Sequence, residues 1–171
     1  MSHSQSISMI CAFDKNYLFG KNNKLPWNYL EDLLYFKEKT NDNIIIMGYQ
    51  TYLSLEGRKL KNRIHFVIDK TVHGMIFEDG VYKFSSLENS ISYAQEYFSH
   101  LSIFIIGGSK LFEKAFQLSL VHQLYITYID KEYEGDVYFP FSYLSIFDCV
   151  SSIQSLQHPE LYYQIWKIKP S

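Results

Sequence analysis

A chain of 171 residues, 47% hydrophobic and 20% charged, is long enough for one domain with a sizeable core, and this composition excludes disorder. Its net charge of −2 leaves no basic surplus for a nucleic-acid partner. Two cysteines, Cys11 and Cys149, are too few for a disulfide framework or a metal cluster, so the chain reads as a reducing-compartment, cytoplasmic protein. The start, residues 1–6, is polar, lacks the apolar core of a signal peptide and is expected to be flexible. The strongest apolar run, Ile103-Phe104-Ile105-Ile106, is far too short to span a bilayer. Aromatics reach 18% and read as core filling.

In chain order, strand and helix patterns alternate. Residues 7–13 form an apolar run of strand length. Residues 30–40 carry helical spacing at Leu30, Leu33, Leu34 and Phe36. Residues 44–47 predict a buried strand ended by Gly48, and Thr51 a cap for a short helix to Leu55. Residues 64–68 and 81–84 predict two further strands. Ser86 opens a helix to about residue 98. Residues 103–106 form the strongest strand signal, and a helix follows from Ser109 to about Leu118. Residues 124–129 and 147–155 read as strands, and 162–168 alternates as an edge or hairpin strand. The resulting fold class is α/β, a single domain with a mainly parallel twisted sheet of about eight strands, the C-terminal one antiparallel, flanked by helices on both faces.

Four constellations carry possible chemistry. In Asp32-Leu33-Leu34-Tyr35-Phe36, shortly after Leu25-Pro26-Trp27, a carboxylate stands among apolar neighbours, where burial favours taking or sharing a proton. Ile106-Gly107-Gly108-Ser109-Lys110 and Gly48-Tyr49-Gln50-Thr51 are strand-to-helix junctions with free N–H groups. Each is either a tight turn with ordinary capping or an approach path for phosphate. Neither matches a G-x-G-x-x-G fingerprint or a P-loop. Arg63 either clamps a carboxylate or makes a surface salt bridge. Residues 14–24 form a lid or an exposed loop. The six histidines show no metal-ligand spacing, and no Ser or Cys stands in a nucleophile motif.

Taken together these residues resemble dihydrofolate reductase. The matching segments are Ile10-Cys11-Ala12, Gly20, Leu25-Pro26-Trp27 with Asp32 and Phe36, Met47-Gly48 with Thr51 and Ser54, and Leu60 with Arg63. Ile105-Ile106-Gly107-Gly108, Leu124-Tyr125-Ile126-Thr127, Glu134-Gly135-Asp136 and Phe139-Pro140 continue the series. Their order and spacing span residues 7–140, and more loosely reach 168.

The resemblance implies that Asp32 pairs with the pterin's N3 and 2-amino group, supported by Thr127, while Trp27 holds an ordered water. Ile10, Leu33, Phe36, Leu55 and Leu60 would sandwich the pterin and aminobenzoyl rings, with Cys11, Ala12, Lys37 and Ile106 completing the substrate site. Arg63 would grip the glutamate α-carboxylate. NADPH would lie along Ala12, Leu18, Phe19, Gly20, Asn23, Leu25, Gly48, Tyr49, Gln50, Thr51, Ser54, Asp69 and Lys70, and along Ile106, Gly107, Gly108, Ser109, Lys110, Leu111 and Phe112. Leu25 would sit at the tip of a mobile lid, and Asp136 would help to hold that lid closed. Hydride would pass to C6 of the substrate while water protonates N5.

The expected partners are dihydrofolate and antifolate inhibitors, with no nucleic acid and no membrane. The chain is expected to be a monomer without a fused thymidylate synthase domain. The departures lie at the cofactor's 2′-phosphate. Tyr49 replaces a common basic residue, and Asp69 would repel the phosphate while Lys70 and Lys110 attract it. NADPH is expected to stay preferred, by a reduced margin. Two rivals are a pyrimidine or riboflavin-intermediate reductase on the same fold and a non-catalytic binding protein. Asp32 with Arg63 argues against the first, and intact Trp27, Gly107-Gly108 and Thr127 against the second.

Overall fold

The computed structural model describes residues 5–21 and 24–171. In chain order its elements are β1 (Ile7–Asp14), β2 (Leu18–Gly20), α1 (Leu30–Thr40), β3 (Ile44–Gly48), α2 (Tyr49–Ser54), β4 (Ile64–Ile68), β5 (Met75–Glu78), β6 (Val81–Phe84), α3 (Leu87–Tyr97), β7 (Ile103–Gly107), α4 (Ser109–Gln117), β8 (Gln123–Ile129), β9 (Val137–Tyr138), β10 (Phe147–Gln154) and β11 (Leu161–Ile168). A short 3₁₀ helix, Phe141–Ile146, leads into β10.

Nine strands form one sheet in the order β10-β11-β8-β1-β7-β3-β4-β6-β5, and β2 with β9 forms a separate ribbon. The six central strands run parallel. Both edges are finished by antiparallel pairs, β10 on β11 and β5 on β6. The β-branched runs of β3 and β7 are buried on both faces, as the interior of a parallel sheet requires. Alternate residues feed two cores. Ile44, Ile46, Ile103 and Ile105 pack with Leu111, Phe112 and Phe116 of α4. Ile45, Met47 and Phe104 pack with Phe36 of α1, with Tyr52 of α2 and with Leu55 at its C-cap. Each fully buried Ile or Phe contributes roughly 1.5–3 kcal/mol.

All eight expected strands are present, and three more accompany them. β2 and β9 have three and two residues, too short to carry a periodic signal, and β5 is exposed along its length. β11 is no edge strand, because it lies between β8 and β10. Thr51 caps no helix: α2 begins two residues earlier with Gly48 as its N-cap. Leu30, Leu33 and Leu34 are exposed, so α1 is not held by that leucine stripe. Ser86 caps α3 as expected, its hydroxyl accepting from the Asn89 N–H at 3.1 Å.

Residues 5 and 6 are not loose. The Gln5 amide donates to the carbonyls of Phe98 and Leu101 at 2.7 and 2.8 Å, and the Ser6 carbonyl accepts from Ile103. Among the described residues no helix is long and apolar enough to cross a membrane.

Candidate active site

In an open α/β sheet the carboxyl ends of the strands frame the ligand cleft. Here β1, β3, β7 and β8 end together, and two chemically different half-sites sit around those ends. The first is built from side chains. Asp32 lies in the first turn of α1, and its Oδ1 accepts a 2.7 Å hydrogen bond from the hydroxyl of Thr127, a buried residue of β8. Burial raises the Asp32 carboxyl above its ordinary value, the Thr127 bond partly offsets this, and the neighbouring charge of Glu31 raises it further. The Cys11 thiol is pushed up by burial and then by Asp32, so it is protonated and unreactive.

Ile10, Phe36, Leu55, Leu60 and Ile106 share one apolar cluster. Leu33, 51% exposed, lies outside it, and Lys37 is exposed. Trp27 is buried with its ring against Tyr133 at 5.3 Å and with Ala12 and Phe19 nearby. Its Nε1 is buried without a hydrogen-bond partner among the described residues. Such a donor calls for a polar group from water or ligand.

Arg63 is half-buried. Its Nε donates to the Lys61 carbonyl at 2.8 Å and its Nη1 to the Thr40 hydroxyl at 3.2 Å. It makes no ion pair among the described residues, so the surface salt-bridge alternative does not hold. His65 fixes this corner, a role its sequence context did not signal. Its Nε2 accepts from the Leu60 N–H at 3.0 Å while Nδ1 meets the Arg63 carbonyl at 3.2 Å. Burial lowers the His65 pKa, so the neutral ring accepts from one residue and donates to the other.

The second half-site is built from backbone. Gly48 and Gly108 are N-caps of α2 and α4, and neither helix start has a side-chain cap. The junctions touch: a Cβ on Gly48 would lie 3.8 Å from both the Gly107 carbonyl and the Gly108 nitrogen. A Cβ on Gly108 would meet only the Thr51 hydroxyl, at 3.7 Å, so that side is otherwise open. Gly107 has φ +129° and joins Gly108 through a cis peptide bond. Thr51 and Ile106 flank this cradle, the exposed Tyr49, Gln50, Ser54 and Lys110 adjoin it in sequence, and the exposed Lys70 follows β4, the strand paired with β3.

Several expected contacts fall elsewhere. The side chains of Leu18, Leu111 and Phe112 are buried in the protein and present no surface to a cofactor. Asp69 is also buried, and its Oδ1 accepts from the Thr71 N–H at 2.9 Å and the Thr71 hydroxyl at 2.6 Å. These bonds hold its carboxyl below the usual range and close a turn. Asn23 lies outside the described residues. Leu25 is 50% exposed. Asp136, expected to help hold a lid closed, stands at the β2–β9 ribbon, where its N–H donates to the Gly20 carbonyl at 3.0 Å.

The comparisons with known proteins agree with this geometry. A family model for dihydrofolate reductase matches residues 6–167. The dihydrofolate reductase of Buchnera aphidicola from Acyrthosiphon pisum is 38% identical over 135 residues, 79% of each chain. That of Bacillus subtilis is 38% identical over 134 residues, 78% of this chain and 75% of its own. A solved dihydrofolate reductase from Enterococcus faecalis, complexed with NADP(H) and RAB-propyl, has a TM-score of 0.84 and 28% identity, covering 96% of this chain and 97% of its own. A helix carboxylate bonded to a strand threonine, set against a glycine cradle at the same strand ends, is accordingly the site of a hydride-transfer enzyme: the chain belongs to the dihydrofolate reductase family.

Proposed function

We propose that the cleft reduces 7,8-dihydrofolate to 5,6,7,8-tetrahydrofolate with NADPH, and that Asp32 is the anchor for the pterin. The observation that carries this reading is the Thr127-bonded carboxylate, raised by burial, beside the apolar cluster of Ile10, Phe36, Leu55, Leu60 and Ile106. A flat heteroaromatic ring fits such walls, and a carboxylate is an acceptor matched to the adjacent N–H donors of the pterin's edge.

The glycine cradle fits the cofactor. Its open side at Gly108 and the uncapped α4 start offer N–H groups to the pyrophosphate. Ala12, Gly20, Thr51, Gly107, Gly108 and Ser109 would hold it, with Lys70 and Lys110 supplying positive charge for the 2′-phosphate. When bound, NADPH supplies the hydride that adds to C6 of the substrate. The protein's own part is orientation, exclusion of water and control of one proton. Asp32 fixes the ring, and its charge favours protonation at N5 by water. The buried Nε1 of Trp27 is a donor that would hold that water. Arg63, a guanidinium with no acidic partner among the described residues, would take the glutamate α-carboxylate. Inhibitors that copy the pterin edge would bind through the same carboxylate. A monomer in the cytoplasm completes the reading.

The test is NADPH oxidation with dihydrofolate. Wild type turns over, and Asp32→Asn loses at least about 100-fold in kcat/KM at pH 7. An inactive wild type defeats the reaction, and an unimpaired variant defeats the role of Asp32.

A further inference from the structure

The C-terminal hairpin of β10 and β11 is the part of the chain that the reaction leaves without a role. Most of β10 is exposed, yet the turn and inner strand of the hairpin reach the first turn of α1. β11 pairs with β8 so that Tyr163 stands opposite Thr127. At that one level, each residue donates to one of two consecutive acids. Thr127 donates to Asp32 at 2.7 Å, and the Tyr163 hydroxyl donates to Glu31 Oε2 at 2.6 Å. Ser155, in the turn after β10, donates to the other Glu31 oxygen at 2.8 Å. A third tie starts one residue before the helix, where Tyr29 donates to Glu160 Oε2 at 3.0 Å.

Both oxygens of Glu31 are therefore held, and its charge is fixed beside Asp32 instead of swinging into solvent. Around Asp32 stand Glu31 and Tyr35 on α1, Cys11 on β1, Thr127 on β8 and Tyr163 on β11, with Tyr125 of β8 beside Tyr35. The Lys39 ammonium lies over the Tyr35 and Tyr125 rings at 5.4 and 5.7 Å. Among these groups Glu31 is the other carboxylate. We propose that the C-terminal hairpin positions and tunes Asp32 through Glu31, with Tyr163 and Ser155 as the clamps that hold the second charge in place. Glu31 and Tyr163 are positioning residues, acting through Asp32 without touching substrate. The sign agrees with the electrostatics at Asp32, where the Glu31 charge adds to the effect of burial. The catalytic consequence rests on Asp32 being the pterin anchor.

The step consumes a proton, so its rate falls on the alkaline side. Removing the Glu31 charge moves that fall to lower pH. Glu31→Gln is expected to slow hydride transfer about threefold at pH 8 and to match wild type near pH 5. A readout independent of turnover is the carboxyl-carbon NMR titration of Asp32 in the free protein, assigned through Asp32→Asn. The midpoint is expected at lower pH in Glu31→Gln, and displaced less in Tyr163→Phe, which keeps the charge but releases it toward solvent. Tyr163→Phe is also expected to raise KM for dihydrofolate about threefold. An Asp32 titration that is unchanged in a folded Glu31→Gln overturns the proposal. Should that variant fail to fold, an unchanged titration and KM in Tyr163→Phe overturns it instead. A wild type without dihydrofolate turnover defeats the reaction and leaves the titration to decide the clamp.

Discussion

The two halves of the cleft are made of different materials. The half proposed for the pterin is side chains: Asp32, Thr127, Trp27 and Arg63, each placed by hydrogen bonds or packing. The half proposed for the cofactor is backbone, two uncapped helix starts meeting at Gly48, Gly107 and Gly108. A side-chain half is tunable, because each group has a proton affinity and a set of neighbours. A backbone half has no such adjustment, and it responds mainly to added bulk. Substitution should therefore change rates and pH profiles in the first half, and affinity or folding in the second.

The largest break expected is the turnover loss in Asp32→Asn, which comes with an opposite effect on stability. The folded-state pKa of Asp32 lies above its unfolded value of 3.8. Between the two values the folded state binds more protons than the unfolded state, so stability falls as pH rises through the folded value. Asp32→Asn should melt above wild type at pH 8, with the difference shrinking toward pH 4.

On the backbone side, Gly107→Ala forces a Cβ onto φ +129°. It should destabilise by about 1–2 kcal/mol, seen as a lower Tm. Gly108→Ala has room against Thr51 and no positive φ. It should keep its Tm yet bind NADPH about tenfold more weakly, because its methyl fills the open side. Equal melting losses in both glycine variants would erase the distinction between strain and occupancy.

Next comes charge at the rim. Replacing Lys70 and Lys110 by Met should weaken NADPH by about 1 kcal/mol and leave NADH nearly unchanged, while equal losses would make both lysines solvated surface. The smallest effect belongs to His65. Its folded pKa lies below the unfolded value of 6.5, so its contribution is complete above that pH and is lost as pH falls below it. In urea unfolding between pH 7.5 and 5.5, His65→Phe should lack the part of the slope that this ring supplies.

What could be read from the residues follows the same division. The strand runs of β3 and β7 and the Ser86 cap were legible because period and capping chemistry are local. Asp32 was legible because an acid among apolar residues is unusual within one short window. Tyr163 was not, since its meaning depends on standing opposite Thr127, and register between strands so distant in sequence leaves no local trace. His65 carried no signal of its own, because its partner Leu60 meets it only once the intervening loop folds back. Asp69 has a local partner instead. Its carboxylate accepts both polar hydrogens of Thr71 two residues on, a turn contact that its residue type alone did not specify and that leaves its negative charge in place. Leu18, Leu111 and Phe112 were assigned to the cofactor by the resemblance, but their side chains turn into the protein.

The β2–β9 ribbon has a consequence for how the protein breathes. Its two strands hold three and two residues and join segments more than a hundred positions apart, outside the main sheet. Gly20 and Gly135 pack so closely that a Cβ on Gly135 would collide with the Gly20 carbonyl. So few backbone bonds can open without disturbing any strand of the nine-stranded sheet. Amide hydrogens of Gly20 and Asp136 are expected to exchange through a local opening of low free energy, and those of β3 and β7 only with global unfolding, a contrast that native-state hydrogen exchange measures. Variants that loosen the ribbon are therefore expected to speed exchange there while leaving the Tm of the nine-stranded sheet unchanged.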